Sequence, residues 1–185
     1  MNPLHNIFCS SSKYETAMRE RLFPAVLSGL DLSSADVLEI GPGFGAGTQW
    51  LTERAGSVTA VEYEAKLAEK VRRRVPKATV IHGSGTAMPL EDASYDVVVC
   101  TTMLHHVPTD EDQDALLGEA RRVLRPGGTF CGSDSRESFL FRLAHIGDVM
   151  NVVDPQSFGQ RLVNAGCREP KVTVADRAFL FRATA

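Results

Sequence analysis

The chain alternates short apolar runs with amphipathic stretches. Tyr14, Ala17, Met18, Leu22, Ala25 and Val26 recur at helical spacing, which predicts a helix from about Ser12 to a stop at Gly29. A strand over Asp36–Ile40 then runs into a glycine-rich turn, and a helix from Gly47 to Ala55 follows. The alternation repeats with a strand over Ser57–Glu62, a helix over Glu64–Arg74 ended by Pro76, and a strand over Thr79–His82. The strand Tyr95–Thr101 holds the unbroken run Val97-Val98-Val99-Cys100, the pattern of a strand covered on both faces. A helix over Asp110–Leu124 opens with Asp110, Glu111 and Asp112, where negative charge suits the positive end of the helix dipole. Arg125-Pro126-Gly127-Gly128 marks a stop and turn before a strand over Thr129–Ser133. Such alternation predicts a mostly parallel sheet with helices on both faces. The end departs from it: after a helix over Pro155–Ala165 stopped by Gly166, strands Lys171–Ala175 and Ala178–Arg182 form a hairpin about Asp176-Arg177.

Composition narrows the class without changing this reading. The 185 residues are expected to form one domain over 1–185, with 43% hydrophobic and 23% charged residues. A net charge of −3 argues against a nucleic-acid partner or an anionic membrane surface. The one basic run, Arg72-Arg73-Arg74, lies at a helix end where cations suit the dipole, and reads as a solvated helix terminus. Cys9, Cys100, Cys131 and Cys167 have neither C-x-x-C spacing nor a histidine at zinc-ligand spacing, which points to a reducing compartment. No run of 18 apolar residues and no signal pattern is present, so a cytoplasmic protein without membrane insertion is expected.

The chemistry starts at VLEIGPGFGAGT, Val37 to Thr48. Gly41, Gly43 and Ala46 satisfy the dinucleotide pattern G-x-G-x-x-G/A, while Gly41, Gly43 and Gly45 satisfy the G-x-G-x-G loop of methyltransferases. Either way the loop sits at the C-terminal end of the first strand, where doubly wound sheets bind ligands. Its glycines let the backbone come close to a ligand, and the free amides of the next helix suit an anionic group. Glu62, ending the second strand, can accept hydrogen bonds from both ribose hydroxyls of either cofactor. Glu39 separates the two: a carboxylate inside the strand needs a partner, and the ammonium and sulfonium of S-adenosylmethionine provide positive charge where NAD provides pyrophosphate.

At this point the sequence resembles the class I S-adenosylmethionine-dependent methyltransferases, within them most closely the small-molecule, quinone C-methyltransferase-like subgroup. VLEIGPGFG, VTAVEYE, HGSGTAMPLEDASYDVVV, TMLHHV and LRPGG carry the likeness in the family's order, over about Val37 to Thr129. The resemblance implies an α/β, Rossmann-like, doubly wound seven-stranded sheet, mostly parallel with an antiparallel C-terminal strand. It implies that Glu39, Gly41, Gly43 and Gly45 hold the methionine end and Glu62 the ribose. Tyr63 would cover one adenine face, while Ser84, Gly85, Thr86, Ala87 and Met88 would form the adenine segment. Thr101 and Thr102 would touch the methionine moiety. One position departs from the family pattern. Ser84 stands where an aspartate is expected, so the bond to the adenine amino group lacks charge assistance, worth about 1–2 kcal/mol.

Methyl transfer from a sulfonium is an in-line displacement that asks the protein for positioning, desolvation and sometimes a base. His105 and His106, after the fourth strand, are the candidate bases. No third ligand stands at a suitable spacing beside them, so no metal is expected. Tyr14, in an N-terminal helical cover over 1–30, is placed to meet the methionine carboxylate or the substrate, and Ser10, Ser11 and Ser12 to cap its helix. Residues 135–152 carry an apolar stripe of Phe139, Leu140, Leu143, Ile146 and Val149 with the polar Asp134, Arg136 and His145 near it, read as a core helix or a substrate-covering helix. The expected function is methyl transfer to a small-molecule acceptor by a monomer or homodimer. The alternatives are a non-catalytic S-adenosylmethionine-binding protein and an NAD(P)-dependent oxidoreductase.

Overall fold

The computed structural model describes residues 9–185; the first eight residues of the expected N-terminal cover lie outside the described residues. In chain order the elements are helix α1 (Ser12–Ala17), a π-helical turn (Met18–Leu22) and α2 (Phe23–Val26). β1 (Asp36–Ile40), α3 (Ala46–Thr52), β2 (Ser57–Glu62), α4 (Ala65–Arg74), β3 (Thr79–His82) and β4 (Tyr95–Thr101) follow. A 3-10 turn (Leu104–His106) leads to α5 (Asp110–Val123), β5 (Leu124–Ser135), α6 (Phe139–Ala144), α7 (Pro155–Asn164), β6 (Arg168–Val174) and β7 (Ala178–Thr184).

The strands make one seven-stranded sheet in the order β3-β2-β1-β4-β5-β7-β6. β3, β2, β1, β4 and β5 are parallel, and β7 runs antiparallel to both β5 and β6. Strand order reverses between β1 and β4, which makes the C-terminal ends of these two strands the natural ligand crevice. The period-2 alternation of the strands divides the core between two faces. Leu38, Ile40, Val98, Cys100 and Phe130 pack with Leu116, Leu117, Ala120 and Val123 of α5 and Phe158 and Leu162 of α7. Val37, Val97, Val99 and Cys131 point the other way, onto Phe23 and Val26 of α2 and Trp50 and Leu51 of α3.

Three differences from the sequence reading have physical causes. The N-terminal helix does not keep one 3.6-residue face. Pro24 has no amide to donate, and the ladder loosens into a π turn in which the Phe23 amide donates to the Met18 carbonyl. The extra residue rotates the buried face to Met18, Phe23, Val26 and Leu27, leaving Ala17 and Ala25 exposed. β5 starts at Leu124, not Thr129, because Leu124 pairs with Tyr95 and the strand carries the Arg125–Gly128 turn as an irregularity, with Gly127 at φ +81°. The 135–152 stripe is not one helix: α6 ends at Ala144, and Leu143, Ile146 and Val149 are exposed.

The Arg72–Arg74 run is more than a solvated terminus. Arg74 donates to Glu15 of α1, to the Phe44 carbonyl in the glycine loop at 3.1 Å and to Gln49 of α3 at 3.4 Å. It ties the N-terminal helix to the loop that the helix overlies.

Candidate active site

A cavity of about 580 Å³ opens at the C-terminal ends of β1 and β4. β1 carries the loop Gly41–Gly45 into it, and three of these residues lie in the left-handed region: Gly41 at φ +72°, Gly43 at +53° and Gly45 at +82°. Space adds a second constraint at Gly41, where a Cβ would come within 2.8 Å of the Met103 side chain. Gly43 has open space around it, so only its backbone asks for glycine. Gly45 faces away from the cavity, towards Val71 and Arg74, and caps the start of α3. Gly47, which sequence reasoning passed over, is the tightest of the four. A Cβ there would stand 2.2 Å from the Phe23 ring and 2.3 Å from Glu39 Oε1.

Two carboxylates organise the loop. Glu39 is buried; its Oε2 accepts a hydrogen bond from Thr48 Oγ1 at 2.6 Å. Burial raises its pKa to about 7, the Thr48 bond opposes the rise and the nearby Glu62 charge adds to it. Glu62 accepts from the amides of Gly43 at 3.1 Å and Glu64 at 2.9 Å, fixing the loop against the end of β2. Its pKa is also raised, by burial first, with these amide bonds opposing.

Most of the expected cofactor residues line the cavity together: Glu39, Gly41, Gly43, Glu62, Tyr63, Ser84, Gly85, Thr86, Thr101, Thr102 and Tyr14. Tyr63 is exposed at its edge. Tyr14 and Thr102, 88 residues apart in sequence, share a hydroxyl–hydroxyl bond of 3.0 Å. Thr102 holds φ +50°, rare for a β-branched residue, and its amide donates to Ser133 at 2.8 Å. Ser11 caps the helix bearing Tyr14, accepting from the Tyr14 amide at 3.3 Å.

The rest are elsewhere. Ala87 is exposed and Met88 belongs to the main core. The turn Ser84-Gly85-Thr86-Ala87, closed by a bridge between Ser84 and Ala87, directs Ala87 outward. Ser84 Oγ is engaged inside this turn, with the Thr86 amide at 3.2 Å and the Thr86 hydroxyl at 2.8 Å. His106 lines the cavity, while His105 lies behind it. His105 is 2% exposed, with Nδ1 2.5 Å from Asp134 Oδ1 and its amide donating to Asp134 Oδ2 at 2.9 Å. Asp134, a polar group beside the 135–152 stripe, comes from the end of β5, and the β4–β5 register brings it beside His105.

The chemistry of the wall separates the two cofactors that the loop admitted. Glu39, Glu62, Glu64, Asp112 and Asp148 line the cavity, and no lysine or arginine does among the described residues. A pyrophosphate would meet this charge unfavourably, whereas an ammonium and a sulfonium suit it. The residues present therefore fit S-adenosylmethionine.

Comparison with known proteins agrees. The family profile of the methyltransferase domain matches residues 38–132. The chain belongs to the class I S-adenosylmethionine-dependent methyltransferases. It is 40% identical over 95 residues to a probable S-adenosylmethionine-dependent methyltransferase of Mycolicibacterium smegmatis, covering 51% of this chain and 36% of that protein. It is 33% identical over 120 residues to the phthiotriol/phenolphthiotriol dimycocerosates methyltransferase of Mycobacterium tuberculosis, covering 62% of this chain and 43% of that protein. This class I methyltransferase chain thus spans less than half the length of these relatives. The solved structure of an S-adenosylmethionine-dependent methyltransferase from Aquifex aeolicus superposes with a TM-score of 0.76 at 18% identity, covering 100% of this chain and 98% of that one. Among the described residues no helix is long and apolar enough to cross a membrane.

Proposed function

We propose that this chain transfers a methyl group from S-adenosylmethionine to a small organic acceptor with an apolar body. The observation that carries the reading is the cavity wall, a glycine loop held by Glu62 and surrounded by carboxylates without a lysine or arginine among the described residues. When bound, S-adenosylmethionine supplies the electrophilic methyl group. Glu39 would face its ammonium and the loop amides its carboxylate. Glu62 would take the ribose hydroxyls, and Tyr63, Ser84, Gly85 and Thr86 the adenine. Tyr14, hydrogen-bonded to Thr102, would cover the methionine end from the N-terminal side.

The far wall of the cavity supports an apolar acceptor. Met103, Val107, Pro108 and Val149 line it, and the exposed Leu143 and Ile146 flank the same segment. An acceptor with a hydrophobic body buries this surface, and the mycobacterial relative named for dimycocerosates supports an acceptor of that kind. His106, on the wall, is the group suited to take a proton from a hydroxyl or acidic carbon. His105, held by Asp134, is a positioning residue behind it, with ring centroids 4.2 Å apart. Incubation with labelled S-adenosylmethionine and a panel of phenols, quinols, lipid alcohols, amines and thiols tests this. Label transfer to an apolar member is expected. Cofactor binding without transfer to any member would leave a non-catalytic binding protein, and binding of NADH in its place would sink the reading.

A further inference from the structure

Beside the cavity the fold brings His145 to the sequence neighbours His105 and His106. His105 and His106 come from the 3-10 turn after β4, and His145 from the residue following α6. One ligand nitrogen from each lies within 4.8 Å of the others. A tetrahedral zinc site needs nitrogens about 3.3 Å apart, given metal–nitrogen bonds of about 2.0–2.1 Å, so the triad stands within about 1.5 Å of that spacing.

The surroundings prepare two of the rings as ligands. Asp134 at Nδ1 of His105 fixes that ring with its proton on Nδ1, which leaves the lone pair on Nε2. Nε2 of His105 is buried and has no hydrogen-bond partner, although the residue is only 2% exposed. The Phe141 carbonyl, 2.8 Å from Nδ1 of His145, accepts a hydrogen bond only from an Nδ1–H, so it sets the same tautomer there. A carboxylate or carbonyl behind a histidine, orienting its other nitrogen, is the arrangement that outer-shell groups give metal-ligating histidines. Phe141 packs against both rings, with centroids 5.0 Å from His105 and 4.2 Å from His145.

We infer that His105, His106 and His145 form a binding site for a divalent transition metal of the zinc class, at the acceptor end of the cofactor cavity. Three neutral imidazoles leave the ion its double charge and an open fourth position, the composition of zinc sites that bind an exchangeable ligand. His106 lines the cavity, so the site adjoins the space assigned to the acceptor. Ligation takes the His106 lone pair out of use as a base. An acceptor hydroxyl or thiol bound at the fourth position is the ligand class such an ion favours.

The test is a titration of the full chain, without a polyhistidine tag and without S-adenosylmethionine, using Co²⁺ and then Zn²⁺ as competitor. Failure here leaves the cofactor reading intact. The expected result is one equivalent of Co²⁺ per chain with the intense visible bands of tetrahedral coordination, bleached by one equivalent of Zn²⁺. His106→Ala, a change on the cavity wall, should weaken binding more than tenfold, and Asp134→Asn about 10–100-fold. His145→Gln should do the same, and circular dichroism reports whether it folds; if it does not, His106→Ala decides. Absence of stoichiometric Co²⁺ binding, or binding left unchanged by His106→Ala, overturns the inference.

Discussion

Replacing Glu39 with glutamine should stabilise the cofactor-free protein and weaken its hold on the cofactor. Glu39 is buried, with the Thr48 hydroxyl as its partner and Glu62 as a charged neighbour, and its pKa stands at about 7 against an ordinary 4.5. Below 4.5 the carboxyl is protonated in both the folded and the unfolded chain, and it costs little. Between 4.5 and about 7 the unfolded chain ionises first, so folded stability falls as pH rises. Above about 7 both states are ionised and the loss is complete. At about 1.4 kcal/mol for each tenfold change in proton affinity, the full loss is on the order of 3 kcal/mol. Glu39→Gln keeps an oxygen for Thr48 and removes the charge. Urea unfolding followed by Trp50, the only tryptophan and a buried residue of α3, reads the effect. The variant should match the parent near pH 4 and exceed it by up to about 3 kcal/mol at pH 8. Carboxylates such as Asp36 and Asp96, held below their usual range by hydrogen bonds and Arg125, tilt the parent's curve the other way at acid pH; they largely cancel in the difference. S-adenosylhomocysteine, which keeps the ammonium, should bind the variant roughly tenfold or more weakly at pH 8. A stability difference that stays flat from pH 5 to pH 8 would refute the buried-charge argument, and unchanged affinity would refute the ammonium assignment.

Four further substitutions probe separate parts of the site. Gly47→Ala drives a methyl into the Phe23 ring and Glu39, so thermal melting should show a loss of about 1–3 kcal/mol. Gly43→Ala meets open space and should lose only about 1 kcal/mol, from its φ of +53°; equal losses would show that packing does not distinguish the two. Tyr14→Phe removes the bond to Thr102 and should lower stability by about 1 kcal/mol in denaturant titration, whereas a neutral result would mean the hydroxyl pair contributes nothing. Glu62→Ala frees the Gly43 and Glu64 amides and should cut S-adenosylhomocysteine affinity at least tenfold by calorimetry, with the circular dichroism spectrum retained.

The parts of this molecule that are local in sequence were legible there. β1, the glycine loop and Glu62 follow one another within a single βαβ unit, so spacing alone set their geometry. The parallel run from β1 to β5 and the terminal hairpin could likewise be read from apolar alternation. What escaped depends on contacts between distant segments. Asp134 meets His105 only because β5 pairs with β4, and His145 joins them only once α6 folds back over the strand ends. Spacing therefore argued against a metal that the fold makes possible. The buried face of the N-terminal helix cannot be read from apolar spacing, because a π turn at Met18–Leu22 breaks the 3.6-residue period. Ala87 and Met88 follow Gly85 in sequence, yet the Ser84–Ala87 bridge turns one outward and the core takes the other.

Whether the carboxylate-rimmed loop holds S-adenosylmethionine is read by calorimetric titration of the full chain with S-adenosylhomocysteine and, separately, with NADH. One-to-one binding of S-adenosylhomocysteine, severely weakened in Glu62→Ala, and no measurable heat with NADH are expected. Saturable NADH binding with none for S-adenosylhomocysteine would contradict that assignment.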